Sequence, residues 1–132
     1  MFSRACEYAI KIMIHLAKKE KEGARIGLKE ITKAIESPEA FTAKVLQQLV
    51  KHQLLGSFKG PTGGFALIKG KEIRLIDIVK AIDGNKLLDK CVLGFESCSA
   101  EKPCPVHHSF VQIREQLSQT LLSIEIRDNR FS

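Results

Sequence analysis

Three thiols and an imidazole fall within a short stretch late in the chain: Cys91, Cys98, Cys104 and His107. Six residues separate the first two cysteines and five the next two, among them Gly94, Ser97, Ser99 and Pro103. Thiolates are soft donors that suit iron–sulfur clusters, and three of them on one loop call for a fourth ligand. The gaps lack the tight two-residue pairs of zinc ribbons, so structural zinc is an alternative rather than the first reading. His107 lies in the first turn of the helix expected after Pro105 and can point back to the same site; His108 is its immediate rival. Pro103-Cys104-Pro105 places Cys104 at that helix's N-terminus, where the macrodipole favours a thiolate. Three unrelated thiols on a surface loop are the plain alternative.

Cys6 lies instead on an apolar stripe and is expected to pack as a small hydrophobe. The acid beside it, Glu7, complements a helix N-terminus by default. Thiol chemistry of another class, with Cys104 and His107 as nucleophile and base or Cys98 and Cys104 as a redox pair, lacks support. The chain has no Cys-x-x-Cys motif and no cofactor-binding loop, so it is not expected to be an enzyme.

The elements that must position these groups can be read from periodicity. Phe2, Cys6, Ala9, Met13 and Leu16 recur at the spacing of one helical face, which predicts a first helix from Ser3 to about Lys19. A short second helix is expected over 28–35, with Leu28, Ile31 and Ile35 inward. Ser37-Pro38-Glu39 reads as a capping serine, a first-turn proline and an acid, opening a third helix to about His52. That helix buries Phe41, Val45, Leu46, Leu49 and Val50 and leaves Thr42, Ala43, Lys44, Gln47, Gln48 and Lys51 on the other side. A basic, amide-rich face on the second helix of a helix-turn-helix is what enters a DNA major groove. A plain helical hairpin would share the periodicity.

The stretch that follows favours DNA. Leu54–Lys59 and Phe65–Lys69 are strand-like and joined by Gly60-Pro61-Thr62-Gly63-Gly64, which makes a hairpin placed as the wing of a winged helix-turn-helix, with Lys59 at its tip. The glycines do not read as a phosphate-binding loop, because no helix with a Lys-Ser/Thr pair opens from them. A fourth helix is expected over 73–82, ended by Asp83-Gly84. In the last helix Val106, Phe110, Ile113, Leu117, Leu121 and Ile124 form a seam close to a coiled-coil repeat, expected to pair two copies over a two-fold symmetric operator.

Composition agrees. The chain has 132 residues, 44% hydrophobic and 27% charged, enough for one core and too rich for disorder. Its net charge of +6 is concentrated in residues 1–60, which hold 11 Lys/Arg against 6 Asp/Glu. A solvated lysine face gives such a surplus too, so the charge counts only together with the motif. No apolar run approaches membrane-spanning length, and the opening Met1-Phe2-Ser3-Arg4-Ala5-Cys6-Glu7 is unlike a signal peptide, so the expected location is cytoplasmic. The fold class expected is mainly α with a small β-hairpin: a winged helix-turn-helix over 1–84, a cysteine-rich loop over 85–104 and a dimerisation helix and tail over 105–132.

In this order the elements resemble an Rrf2-family transcriptional regulator over nearly the whole chain. The resemblance is carried by Glu7-Tyr8-Ala9 and the apolar helix after it, by Lys59-Gly60-Pro61-Thr62-Gly63-Gly64-Phe65, and by Cys91, Cys98, Cys104 and His107. It implies a bacterial homodimer that binds a double-stranded DNA operator with an affinity set by an iron–sulfur cluster near the dimer interface, of the [2Fe–2S] rather than the [4Fe–4S] kind. The iron–sulfur-biogenesis type uses three Cys and a His, matched by Cys91, Cys98, Cys104 and His107. The nitric-oxide-sensing type adds an acid from the partner's first helix, matched by Glu7. Some members carry no cluster and respond to thiol chemistry or to a partner protein.

Overall fold

A computed structural model describes residues 2–89 and 106–128; the three thiols Cys91, Cys98 and Cys104, and Pro105, lie outside the described residues. Helix α1 (Arg4–Glu20) starts where Ser3 turns its hydroxyl to accept from the Cys6 N–H at 3.0 Å, and it carries Lys18 and Lys19 in its last turn, the favourable end for cations. Helix α2 (Leu28–Ile35) stops at Glu36, which adopts the left-handed conformation while the Ser37 N–H bonds back to Thr32 O. Helix α3 (Glu39–Lys51) begins one residue later than its sequence signals suggest. Pro38 is its N-cap, and Ser37 Oγ bonds Thr42 Oγ1 at 2.5 Å instead of capping the helix.

Strands β1 (Leu55–Phe58) and β2 (Gly64–Leu67) form the expected hairpin, antiparallel with Leu55 opposite Leu67 and Phe58 opposite Gly64. The turn is closed by Gly63 N–H on Gly60 O at 2.9 Å. A side chain at Gly63 would start 2.3 Å from the Phe58 carbonyl oxygen, so the glycine is a steric requirement of the turn. A third segment joins the sheet: Ile26 and Phe65 exchange both backbone bonds, at 3.0 and 2.8 Å, which puts β2 in the middle. Gly64 lets the strands approach, since a Cβ there would lie 2.7 Å from the backbone of Ile26.

Helix α4 (Leu75–Asp83) starts two residues after the expected Ile73, because the backbone of Ile73 is taken by the C-terminal tail. Ile126 N–H donates to Ile73 O at 2.8 Å, Leu75 N–H to Ile124 O at 3.0 Å, and Ile73 N–H reaches Glu125 Oε1 at 3.2 Å. Asp83 and Gly84 end the helix as expected, with Gly84 N–H on Lys80 O. A short α5 (Lys86–Asp89) and the long α6 (His107–Ser123) pack on each other, and α6 also packs on α4.

The core joins Ile12, Met13 and Leu16 of α1 to Ile31, Leu46, Leu49, Leu55, Leu67, Ile78 and Ile126. A second cluster joins Cys6, Ile76 and Val79 to Leu121, flanked by Leu87, Leu88 and Leu117. This corrects the expectation that the α6 stripe serves a second copy throughout: Leu121 is 3% exposed and belongs to its own chain's core, while Ile113 and Leu122 are 51% and 47% exposed. The tail then closes over α1, where Arg127 Nε and Nη2 donate to the two Glu20 carboxylate oxygens at 2.7 and 3.0 Å and its guanidinium also donates to Lys71 O and Ile68 O. The Glu20 hydrogen bond raises the Arg127 pKa above its ordinary value. No helix among the described residues is long and apolar enough to cross a membrane.

Candidate nucleic-acid interface and cysteine segment

The outward face of α3 carries Lys44, Gln47, Gln48 and Lys51, all exposed, at the i, i+3, i+4, i+7 spacing that lines one helical surface. Thr42, read from sequence as a member of this face, is not part of it. It is 0% exposed, and its hydroxyl donates to Pro38 O at 2.7 Å. Its position one turn before Val45 and Leu46 puts it on the buried stripe, and the hydroxyl is accommodated by that local bond.

Lys44 and Gln48 border a cavity of about 220 Å³ shared with Ser3, Phe41 and Asp83. Gln47 and Lys51 do not line it. Two contacts hold α3 against α1 and the start of α1 against α4. The Tyr8 ring meets Phe41 edge-on, with centroids 5.4 Å apart, and Ser3 N–H donates to Asp83 Oδ2 at 3.0 Å while the Ser3 hydroxyl bonds Asp83 Oδ1.

Lys59 is exposed at the end of β1, just before the turn. Beside it stands a group that sequence reading missed. The Arg25 guanidinium lies over the Phe58 ring, 3.7 Å from its centroid. The residues are far apart in sequence, and only the Ile26 to Phe65 pairing brings them together.

Cys6 is fully buried, as the apolar stripe predicts, and burial followed by the nearby Asp83 pushes its thiol pKa up to about 12. It is an inert packing group. Glu7 is exposed in the first turn of α1. His107 is the first residue of α6, and His108, next to it, is exposed. Among the described residues, no three metal-ligating side chains come together. The chain between α5 and α6 holds the three thiols.

Residues 2–129 match the model of the family described as "Rrf2: Iron-dependent Transcriptional regulator". The chain belongs to the Rrf2 family. A protein of Aquifex aeolicus (strain VF5) named as an HTH-type transcriptional regulator is 31% identical over 97% of this chain and 90% of its own length. Among solved structures, CymR (YrzC), the global cysteine regulator of B. subtilis, superposes with a TM-score of 0.76 at 27% identity, covering 97% of this chain and 94% of that one. The T. potens IscR structure has the same fold, with a TM-score of 0.74 at 21% identity over 97% of this chain and 84% of that one. The protein is thus an Rrf2 transcriptional regulator with a winged helix-turn-helix. In that fold α3 is the second helix of the helix-turn-helix and the β1–β2 hairpin the wing.

Proposed function

We propose that this Rrf2 protein is a dimeric operator-binding regulator whose DNA affinity is set by an iron–sulfur cluster, of the [2Fe–2S] kind. The observation that carries the DNA half is the single exposed surface of Lys44, Gln47, Gln48 and Lys51 on α3, flanked by a wing bearing Lys59. Gln47 and Gln48 have the paired donor and acceptor that reads a base edge, and Lys51 and Lys59 take phosphates. Apolar Ile113, half exposed on α6, supplies the seam for a second copy, which would set two recognition helices over a two-fold symmetric site.

The donor set fits a cluster. Cys91, Cys98 and Cys104 are three soft thiols on the one segment between α5 and α6, His107 is the first residue of α6, and the family is described as iron-dependent. Glu7, exposed near the start of α1, is the ligand that a second subunit could offer. When bound, such a cluster supplies a group sensitive to redox state, oxygen or nitric oxide. The chain's own part is to hold the segment between α5 and α6, while Asp83, a few residues before it, grips the N-terminus of α1. A change of ten- to a hundred-fold in operator affinity needs only about 1.4–2.8 kcal/mol of coupling, a modest demand on such a linkage. A second reading is a regulator in which thiol chemistry acts without a cluster, and it is compatible with the likeness to CymR, a global cysteine regulator.

Anaerobic purification with iron and sulfide analysis, followed by operator binding of holo and apo forms, separates these readings. Cys98→Ala is expected to lose iron and sulfide and remain a folded dimer, and Gln47→Ala to lose roughly 1–3 kcal/mol of specific DNA binding. Colourless protein without iron would favour the thiol reading. Equal operator affinity of holo and apo forms would refute the sensor.

A further inference from the structure

A cavity of about 490 Å³ lies between the C-terminal end of α1 and the outer face of the wing, within the size range of small-molecule sites, roughly 300–1,000 Å³. Gly56 and Ala66, cross-strand partners, both line this trough on the sheet, and the Phe58 ring lies over Gly56. Gly56 also makes room for Phe58, whose ring stands only 3.1 Å from where a Cβ would be. That ring is 39% exposed, one of three large apolar side chains so exposed among the described residues. Arg25 covers it at 3.7 Å and has no ion pair among the described residues.

The charge balance of the cavity is positive. Arg25 and Lys69 line it with one acid, Glu20, and both oxygens of Glu20 are bonded to Arg127. A guanidinium over one ring can still meet a second ring beside it and offer its remaining N–H donors to an acid. We propose that this cavity binds a planar aromatic monoanion, an aryl carboxylate or sulfonate, with its ring against Ala66 beside Arg25 and Phe58 and its acid group between Arg25 and Lys69. The site has no lining residue on α3, and the proposed binding requires neither DNA nor a cluster.

The test uses the full chain and the fluorescent aryl sulfonate 1-anilinonaphthalene-8-sulfonate as probe, with the uncharged N-phenyl-1-naphthylamine for comparison. Saturable binding of one sulfonate per chain is expected. Ala66→Leu, which fills the trough from the outer face, should weaken it about tenfold. Arg25→Ala, at the exposed rim and so independent of how Ala66→Leu folds, should weaken it about fivefold and remove most of its salt dependence. The uncharged analogue should bind wild-type protein about tenfold more weakly than the sulfonate. Sulfonate binding unchanged in both folded variants, or equal binding of the two dyes, would overturn the proposal. So would an Arg25→Ala variant that loses DNA affinity while binding the sulfonate as before, which would assign Arg25 to phosphate.

Discussion

Replacing Gly64 with alanine tests whether the wing is held by the close approach of three backbone segments. Gly64 has φ +134°, outside the range L residues adopt readily, and its added Cβ would lie 2.7 Å from the carbonyl carbon and oxygen of Ile26 and 3.0 Å from the nitrogen of Gly27. Those atoms are backbone, so the chain at Ile26 must move away. Moving it breaks the two bonds it exchanges with Phe65, now 3.0 and 2.8 Å long, at about 1 kcal/mol each. The backbone conformation adds roughly 1–2 kcal/mol for a residue with a Cβ. Against this, alanine restricts the unfolded chain, which offsets about 0.4–1 kcal/mol. The expected net loss is about 3 kcal/mol. Gly23→Ala is the control: φ is +69° there and nothing lies within 4 Å, so only the conformational cost of about 1 kcal/mol applies. Urea unfolding followed by circular dichroism, at one protein concentration for all variants, should place the Gly64→Ala midpoint about 1 M or more below wild type, given a slope of roughly 1–3 kcal/mol per molar. Equal midpoints for Gly64→Ala and Gly23→Ala would refute the three-segment account of the wing.

Thr42→Val should leave operator specificity unchanged and cost about 1 kcal/mol or less, because Pro38 O keeps its bond from the Thr42 N–H; a change in base preference in a binding-site selection would return Thr42 to the groove-facing set. Ile113→Asp is expected to dissociate the proposed dimer while leaving the thermal transition cooperative. Leu121→Asp should instead unfold the chain, since an unpaired carboxylate there would be buried in its own core at a cost of several kcal/mol; sedimentation together with calorimetry distinguishes the two. In a variant with Cys91, Cys98 and Cys104 changed to serine, Cys6 should resist iodoacetamide at pH 8.5 until urea unfolds the chain. Its folded pKa of about 12 lies above the ordinary thiol value, so the folded state binds the extra proton, and Cys6's contribution to stability declines as pH rises through that window. Rapid alkylation of the folded protein would show that Cys6 is neither buried nor neutral.

What could be read in advance was local. The stripe from Cys6 to Leu16 and the glycines from Gly60 to Gly64 encode their structures within a few residues, and both formed as expected. Thr42 was misplaced because its type is neutral between surface and core; what decides is that its hydroxyl can bond the carbonyl of Pro38 one turn back. The start of α4 could not be found from its own apolar pattern, since Ile73 is as suitable for a helix as for the bridge it makes with a segment 53 residues later.

The tail shows most clearly where sequence reading stops. Arg127 bonds Glu20, 107 residues away, and the carbonyl of Ile68, 59 residues away, and no periodicity marks any of the three as partners. Yet this one guanidinium joins the end of α1 and the exit of the wing to the chain that leaves α6. With Ile126 buried next to it and bonded to Ile73, the tail holds the C-terminal end of α6 to the rest of the chain, as Leu121 does a few residues earlier. The exposed Ile113 lies in the N-terminal half of α6. One helix is therefore divided by its contacts, with Leu117 and Leu121 committed to its own chain's core and Ile113 and Leu122 left exposed. The apolar repeat alone runs through both without a break, because both uses require the same residue types at the same spacing.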